Sequence, residues 1–325
     1  MTDKLDCVCF GEVLWDIFDE RDAASKEPIG KVFRRELGGA PANLAVGLAK
    51  LGMHAGIVGG VGDDAFGAAL RQLLSGEGVD TKHLLKLPGR TGLTFVTRSD
   101  KGEPNFLFYR HETADMAMRE EHVTAAMAKA SFCVVGTSTL MTKGLRDATH
   151  KFLDQAAKAK TDIVVDLNVR AHLWDDESHM KGEIKELVAR AKLIKASEGD
   201  LEALAGKRGM SWLEQNAKDA TWLLTRGENG AAALGVHGQV TAPTKRVRCI
   251  DATGAGDAFL AGAIAVLAAA GARVGNAAWK DAKVWTRALE LGHIMGAKAV
   301  SGVGAISGLT GLESAKAKVE LARKG

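Results

Sequence analysis

Along most of the chain, short apolar runs rich in β-branched residues alternate with longer stretches in which apolar positions recur every three or four residues. The runs DCVCF (6–10), AGIVGGVG (55–62), SFCVVG (131–136), TDIVVDLN (161–168), AKLIKAS (191–197) and ATWLLTRG (220–227) read as buried strands. Between them, ANLAVGLAKLG (42–52) reads as a helix stopped by Gly52, and DDAFGAALRQLLSGEG (63–78) as a helix with acidic residues where its dipole favours them. This alternation predicts a parallel sheet covered by helices on both faces. Two stretches break the rhythm. IGKVFRRELGG (29–39) is strand-like with no helix before it, and TGLTFVTRSDKGEPNFLFYRHE (91–112) predicts a hairpin with arms 93–98 and 105–110 around the turn-rich SDKGEP. Inserts near 12–38 and 91–115 are therefore expected to build a small second sheet, placed as a lid over a site. No repeat or linker divides residues 1–325, which reads as one α/β domain.

Composition narrows the class. Hydrophobic residues make up 46% and charged residues 26% of 325 residues, enough for a large buried core. The 43 basic and 40 acidic residues leave a net charge of +3, scattered, so nucleic-acid binding finds no support. Lys245, Arg246 and Arg248 form one of the densest basic groups and read as solvated surface. Cys7, Cys9, Cys133 and Cys249 form no C-x-x-C pair, and each lies in an apolar stretch that reads as a strand, which fits buried reduced thiols. The N-terminal MTDKLDCVCF carries acidic residues where a signal peptide needs an apolar core. The longest near-apolar run (258–272) is too short to span a bilayer. A cytoplasmic protein without membrane contact is expected.

Candidate chemistry centres on DATGAGDAF (251–259). The chain has no G-x-x-x-x-G-K-[ST] loop, and after Gly254 and Gly256 the G-x-G-x-x-G fingerprint fails at Phe259. No H-E-x-x-H or cysteine–histidine zinc spacing occurs. The glycines still allow a sharp turn into a helix, whose free amides and positive dipole end suit a phosphoryl group. Asp257 beside it is placed to take a proton from an attacking hydroxyl. On these local features alone, an aspartate N-cap after a glycine turn explains the stretch equally well.

DATGAGD resembles the C-terminal signature of the ribokinase-like (PfkB) carbohydrate kinase family, D-[TS]-[TV]-[GA]-[AG]-G-D, with Ala252 where Thr or Ser is usual. GGAPANLAVGLAKLG (38–52) resembles that family's N-terminal signature, and the resemblance covers nearly the whole chain. It implies a ribokinase-like three-layer αβα sandwich with a mainly parallel central sheet and a small β-sheet lid, ATP as donor and a Mg2+ requirement. It further implies Asp257 as base, with the amides of Gly254, Ala255, Gly256 and Asp257 as an anion hole. Asp16, Gly38, Gly39 and Asn43 are similar to the family's sugar-binding positions, as are Tyr109 and Arg110 at the end of the hairpin. DLNVRAHLW (166–174) resembles a stretch of fructokinases and 2-keto-3-deoxygluconate kinases, with Asn168 and Arg170 at the phosphoryl-transfer region, Arg170 as a cationic clamp.

For the nucleotide, the resemblance implies Ser197 and Asp200 in place of the magnesium-associated N-x-x-E residues, Thr225, Gly227 and Gly230 in a T-x-G-x-x-G loop, and His293 near adenine. It also implies a monovalent cation, K+, at Asp251 and Thr253 with carbonyls near Gly302 to Gly304. The motifs GEVLWD, GGAPAN, FYRHETADM, DLNVRAHLW and KASEGD resemble those of bacterial fructokinases, which implies D-fructose as acceptor. 2-Keto-3-deoxygluconate kinase is the nearest alternative, and a non-catalytic sugar- or nucleotide-binding regulator is the alternative of another class. Exposed lid edges predict a homodimer formed through the lid.

Overall fold

The computed structural model describes residues 4–20, 29–98 and 104–324. Its main sheet has nine strands: β1 (Leu5–Phe10), β4 (Ala55–Val61), β5 (Asp80–Lys86), β8 (Ala130–Gly136), β9 (Asp162–Asp166), β10 (Leu193–Ser197), β11 (Thr221–Thr225), β12 (Ala231–Gly235) and β13 (Gly238–Ala242). Their order is β13-β12-β11-β10-β9-β8-β1-β4-β5. Every pairing from β11 to β5 is parallel, and β12 and β13 add an antiparallel edge.

Side chains on a strand alternate between faces, and here both faces are apolar. Cys7, Cys9, Ile57, Phe132 and Val134 point to one side, where they meet helices Ala40–Lys50, Ala255–Ala269 and Ala282–Ala299. Val8, Phe10, Val58, Cys133 and Val135 point to the other, against helices Lys143–Lys158 and Glu177–Ala189. The chain is thus a three-layer αβα sandwich, as expected from its alternation. Helix Ala40–Lys50 does stop where expected: Gly52, at φ 80°, follows its C-cap Leu51. Helix Ala65–Gly76 begins at Asp64, which caps it from outside through Gly67 N.

The second sheet comprises β2 (Leu14–Asp19), β3 (Phe33–Gly38), β6 (Leu93–Arg98) and β7 (Pro104–Tyr109), in the order β3-β2-β6-β7. The hairpin arms lie within a residue of their expected bounds; its turn, 99–103, falls outside the described residues. β2 follows β1 after three residues, and β6 follows β5, so both inserts leave from the carboxyl edge of the main sheet, where open α/β sheets hold their ligands. The Asp64 carboxylate anchors this junction by accepting from Thr91 N (2.9 Å) and Thr91 Oγ1 (2.7 Å). The Trp15 indole donates to the Phe66 carbonyl at 3.0 Å.

One cysteine departs from its expected place. Cys7, Cys9 and Cys133 are buried free thiols in strands, but Cys249 is exposed in the loop after β13. Arginines flanking an apolar Val247 give that segment no packed face. Among the described residues, no helix is long and apolar enough to cross a membrane.

Candidate active site

A cleft of about 800 Å³ lies between the lid and the carboxyl edge of the main sheet. Its floor is the start of helix Ala255–Ala269. The helix N-cap is Gly254, in the left-handed conformation at φ 75°, so Asp257 stands inside the first turn rather than capping it. Backbone amides of the first turn have no intrahelical acceptor, so those of Gly254, Gly256 and Asp257 can face an anion, whereas Ala255 N donates to the Ala252 carbonyl at 3.2 Å. Asp251 holds this turn from below. Its Oδ1 accepts from Thr253 N (3.1 Å) and Thr253 Oγ1 (2.8 Å), and its Oδ2 accepts from Gly304 N (2.8 Å). Asp251 and Thr253 thus tie the glycine turn to the 302–304 loop, the segment expected to share a cation with them.

A side-chain hydrogen bond links the lid-side half of the cleft to this floor. Asn43, buried in helix Ala40–Lys50, donates from Nδ2 to Asp257 Oδ2 at 2.9 Å. Its Oδ1 is buried without a hydrogen-bond partner among the described residues, an acceptor available to a ligand hydroxyl. Asp16 enters from lid strand β2 and is buried. A methyl group built on Gly38, across the strand pair, would stand 2.5 Å from the Asp16 carboxyl, so only glycine leaves that carboxyl its place. Gly39 lines the cleft itself. Two buried carboxyls this close share one electrostatic problem. Burial first, then the Asp166 charge, pushes Asp257 up to about 7 despite opposition from Asn43, Lys195 and Arg170. Burial, then Asp257, Asp251 and Glu12, pushes Asp16 up to about 8.

The lid places two expected residues differently. Side chains on β7 alternate, and Phe106 and Phe108 line the cleft while Tyr109, 62% exposed, packs on Phe95 at the outer face. Tyr109 is therefore not at the acceptor site; strand parity sends it outward. Arg110 does line the cleft, but its Nε and Nη2 both donate to Asp115 Oδ2, at 2.9 and 2.7 Å. Burial pulls its pKa down, and the carboxylates of Asp115 and Glu12 more than offset this. Its charge is thus compensated within the protein.

Asn168 and Arg170 line the cleft just past β9, with Asn168 held at φ 35°. Thr225, Gly227, Gly230 and His293 line its far half. The His293 ring packs against Phe259, and burial lowers its pKa although the Pro243 backbone opposes this, which favours the neutral imidazole. Ser197 and Asp200 also line the cleft, but they are engaged with each other. Ser197 Oγ accepts from Asp200 N in a capping box, while Asp200 Oδ2 accepts from Ser197 N and Oγ. Asp200 Oδ1 accepts from Val169 N at 2.7 Å, which fixes the turn carrying Asn168 and Arg170.

Several cleft residues escaped the sequence reading. Glu12 accepts a 2.6 Å hydrogen bond from Ser138, and both line the cleft. Thr94 lies beside Asp16 in the β2–β6 register. Lys245 and Arg246 are exposed, as expected, and also line the mouth of the cleft, because the loop from β13 runs along its rim. Lys195 is buried in the cleft wall, and the signal was present: a lysine inside an apolar strand needs a partner.

The pattern described as "pfkB family carbohydrate kinase" matches residues 4–311. The chain is 35% identical over 264 residues to "Probable fructokinase-2" of Arabidopsis thaliana, covering 78% of each chain. It also resembles two solved structures. A fructokinase from Xylella fastidiosa with bound ATP is 27% identical with a TM-score of 0.83, covering 98% of this chain and 99% of that one. A Vibrio cholerae fructokinase in fructose-, ADP- and calcium-bound form is 26% identical with the same TM-score, covering 98% and 100%. A buried carboxylate at a glycine-turn helix start, polar side chains facing it across the cleft and a match over nearly the whole length lead to one assignment: the chain belongs to the PfkB family of carbohydrate kinases.

Proposed function

We propose that the protein is an ATP-dependent fructokinase that converts ATP and D-fructose to D-fructose 6-phosphate and ADP. The observation that carries this reading is the Asn43–Asp257 hydrogen bond, which joins the hydroxyl-binding half of the cleft to the residue best placed as base. The sugar's primary hydroxyl gives its proton to Asp257 as its oxygen bonds to the γ-phosphorus, and the electron pair of the breaking P–O bond leaves with ADP. Negative charge spreading over the transferring oxygens is met by the amides of the Gly254–Asp257 turn and by Arg170. The fructose- and ADP-bound relative and the ATP-bound relative support both ligands.

Mg2+ would neutralise charge on the nucleotide phosphates. Asp200, with hydrogen bonds on both oxygens, fits holding it through water rather than by direct contact, in keeping with an ion that retains its waters. K+ is proposed at Asp251 and Thr253 and the 302–304 carbonyls, where it would brace the anion turn.

The acceptor half favours a neutral sugar over 2-keto-3-deoxygluconate. Glu12 and Asp16 line it, and Arg110, the lid-side cation that lines the cleft, is already paired with Asp115. Phe106 and Phe108 offer apolar faces to ring carbons. ADP release should be measured over fructose, ribose, 2-keto-3-deoxygluconate and nucleosides, in K+ and in Na+ buffers. The highest kcat/KM is expected with fructose, and higher turnover in K+. Preference for the keto-acid would replace the acceptor assignment, and binding without turnover on every sugar would favour a regulatory homologue. The buried unpaired thiols suit a reducing compartment such as the cytoplasm.

A further inference from the structure

We propose that Lys195 is a catalytic residue: its ammonium, seated against the glycine turn, contacts the phosphoryl group in transit. This rests on the kinase reading above. Lys195 is on β10, opposite Asp166 of β9, and only 5% exposed. Its Nζ donates to Asp166 Oδ1 at 3.1 Å, the one hydrogen bond it makes among the described residues although it carries three donors. The side chain nevertheless forms part of the cleft wall.

Its position relative to the anion turn is set by close approach. A methyl group built on Gly256 would stand 2.8 Å from Lys195 Nζ and 3.4 Å from its Cε. The ammonium therefore occupies the space that a side chain at 256 would take, beside the amides that face the phosphoryl oxygens. Burial lowers the Lys195 pKa, but Asp166, Asp200 and Asp257 more than offset it and keep the group charged. A fixed cation here meets charge as it develops and needs no reorganisation during the step. Lys195 neither gives nor takes a proton: that of the hydroxyl passes to Asp257.

The competing role is purely structural, as counter-ion to Asp166. Buried ion pairs can often be replaced by apolar or neutral groups without loss of stability, whereas removing one partner alone destabilises strongly. The test therefore compares D166N with the double variant K195M/D166N, which leaves no uncompensated carboxylate at 166. Thermal melts establish folding, and kinetics use whichever sugar the wild type phosphorylates. In the D166N background, removing Lys195 is expected to lower kcat by about 10²–10³-fold, the range seen for loss of one transition-state donor, with little change in the sugar KM. Binding of a non-hydrolysable ATP analogue should weaken by about 10-fold, as for a lost charged hydrogen bond, while ADP affinity holds. Equal kcat in the two variants, or equal losses for ADP and the analogue, would overturn the proposal. Absence of wild-type turnover on any sugar would instead refute the kinase reading, and the nucleotide comparison would still decide the contact at Lys195.

Discussion

Asp257 combines a burial that resists ionisation with a proposed role as base that requires it. Its pKa near 7 means that kcat/KM should rise with pH through about 7 and level off above it, since only the carboxylate accepts a proton. Asn43 opposes that shift, so Asn43→Ala should move the limb to higher pH; an unmoved limb would show that another group sets it. The same shift bears on stability. A carboxyl at about 7 folded and 3.8 in its ordinary state binds a proton in the folded form that the unfolded chain has lost. Stability from this group is therefore full below about 4 and falls as pH rises through 7. Asp257→Asn should remove most turnover and, at pH 8, raise stability by on the order of a few kcal/mol. A lower melting temperature would contradict this. At this scale the sequence showed Asp257, Asn43 and Asp16, because each sits in a motif whose spacing is visible. It hid the Lys195–Asp166 pair, because a strand contact spans residues 29 positions apart and leaves no local spacing to read.

Among elements, the lid hairpin shows how much depends on parity. β7 carries Phe106 and Phe108 on the cleft side and Leu107 and Tyr109 on the other, where Phe33, Phe95 and Tyr109 form an edge-to-face row. Two substitutions one residue apart should therefore act in different assays. Phe108→Ser is expected to raise the sugar KM by roughly 10-fold or more, from lost apolar contact, and to leave association unchanged. Tyr109→Lys should leave KM near wild type and, with the lid edges as the dimer contact expected from the sequence and β7 as one of those edges, shift the species seen by light scattering toward monomer. A monomeric wild type would refute the dimer. The hairpin's existence and arms were legible from its alternation and turn residues. Which side faced the cleft was not, since parity acquires a direction only once β6 pairs with β2 over the site.

At the scale of the whole molecule, the layered sandwich was legible because a sheet covered on both faces needs continuously apolar strands, and the sequence supplies six. The path of the 243–250 segment was not, because a polar loop beside a cleft and one in open water share a composition; this is why Cys249 was misplaced and the cleft-rim position of the exposed Lys245 and Arg246 went unread. The strand order also bears on how the protein is made. From β8 to β13 each strand lies beside its predecessor in the chain, so this half of the sheet can assemble in the order in which a ribosome delivers it. The face opposite is different. Helix Ala40–Lys50 packs against helix Ala255–Ala269 so closely that a methyl group at Gly47 would stand 2.9 Å from Ala261 Cβ. At typical synthesis rates the early helix waits about 10–40 s for its partner. During that interval a nearly finished sheet carries one bare apolar surface. Nascent chains stalled just after Ala242 should therefore be caught by chaperones that bind apolar surface, and chains released past Ala299 should not.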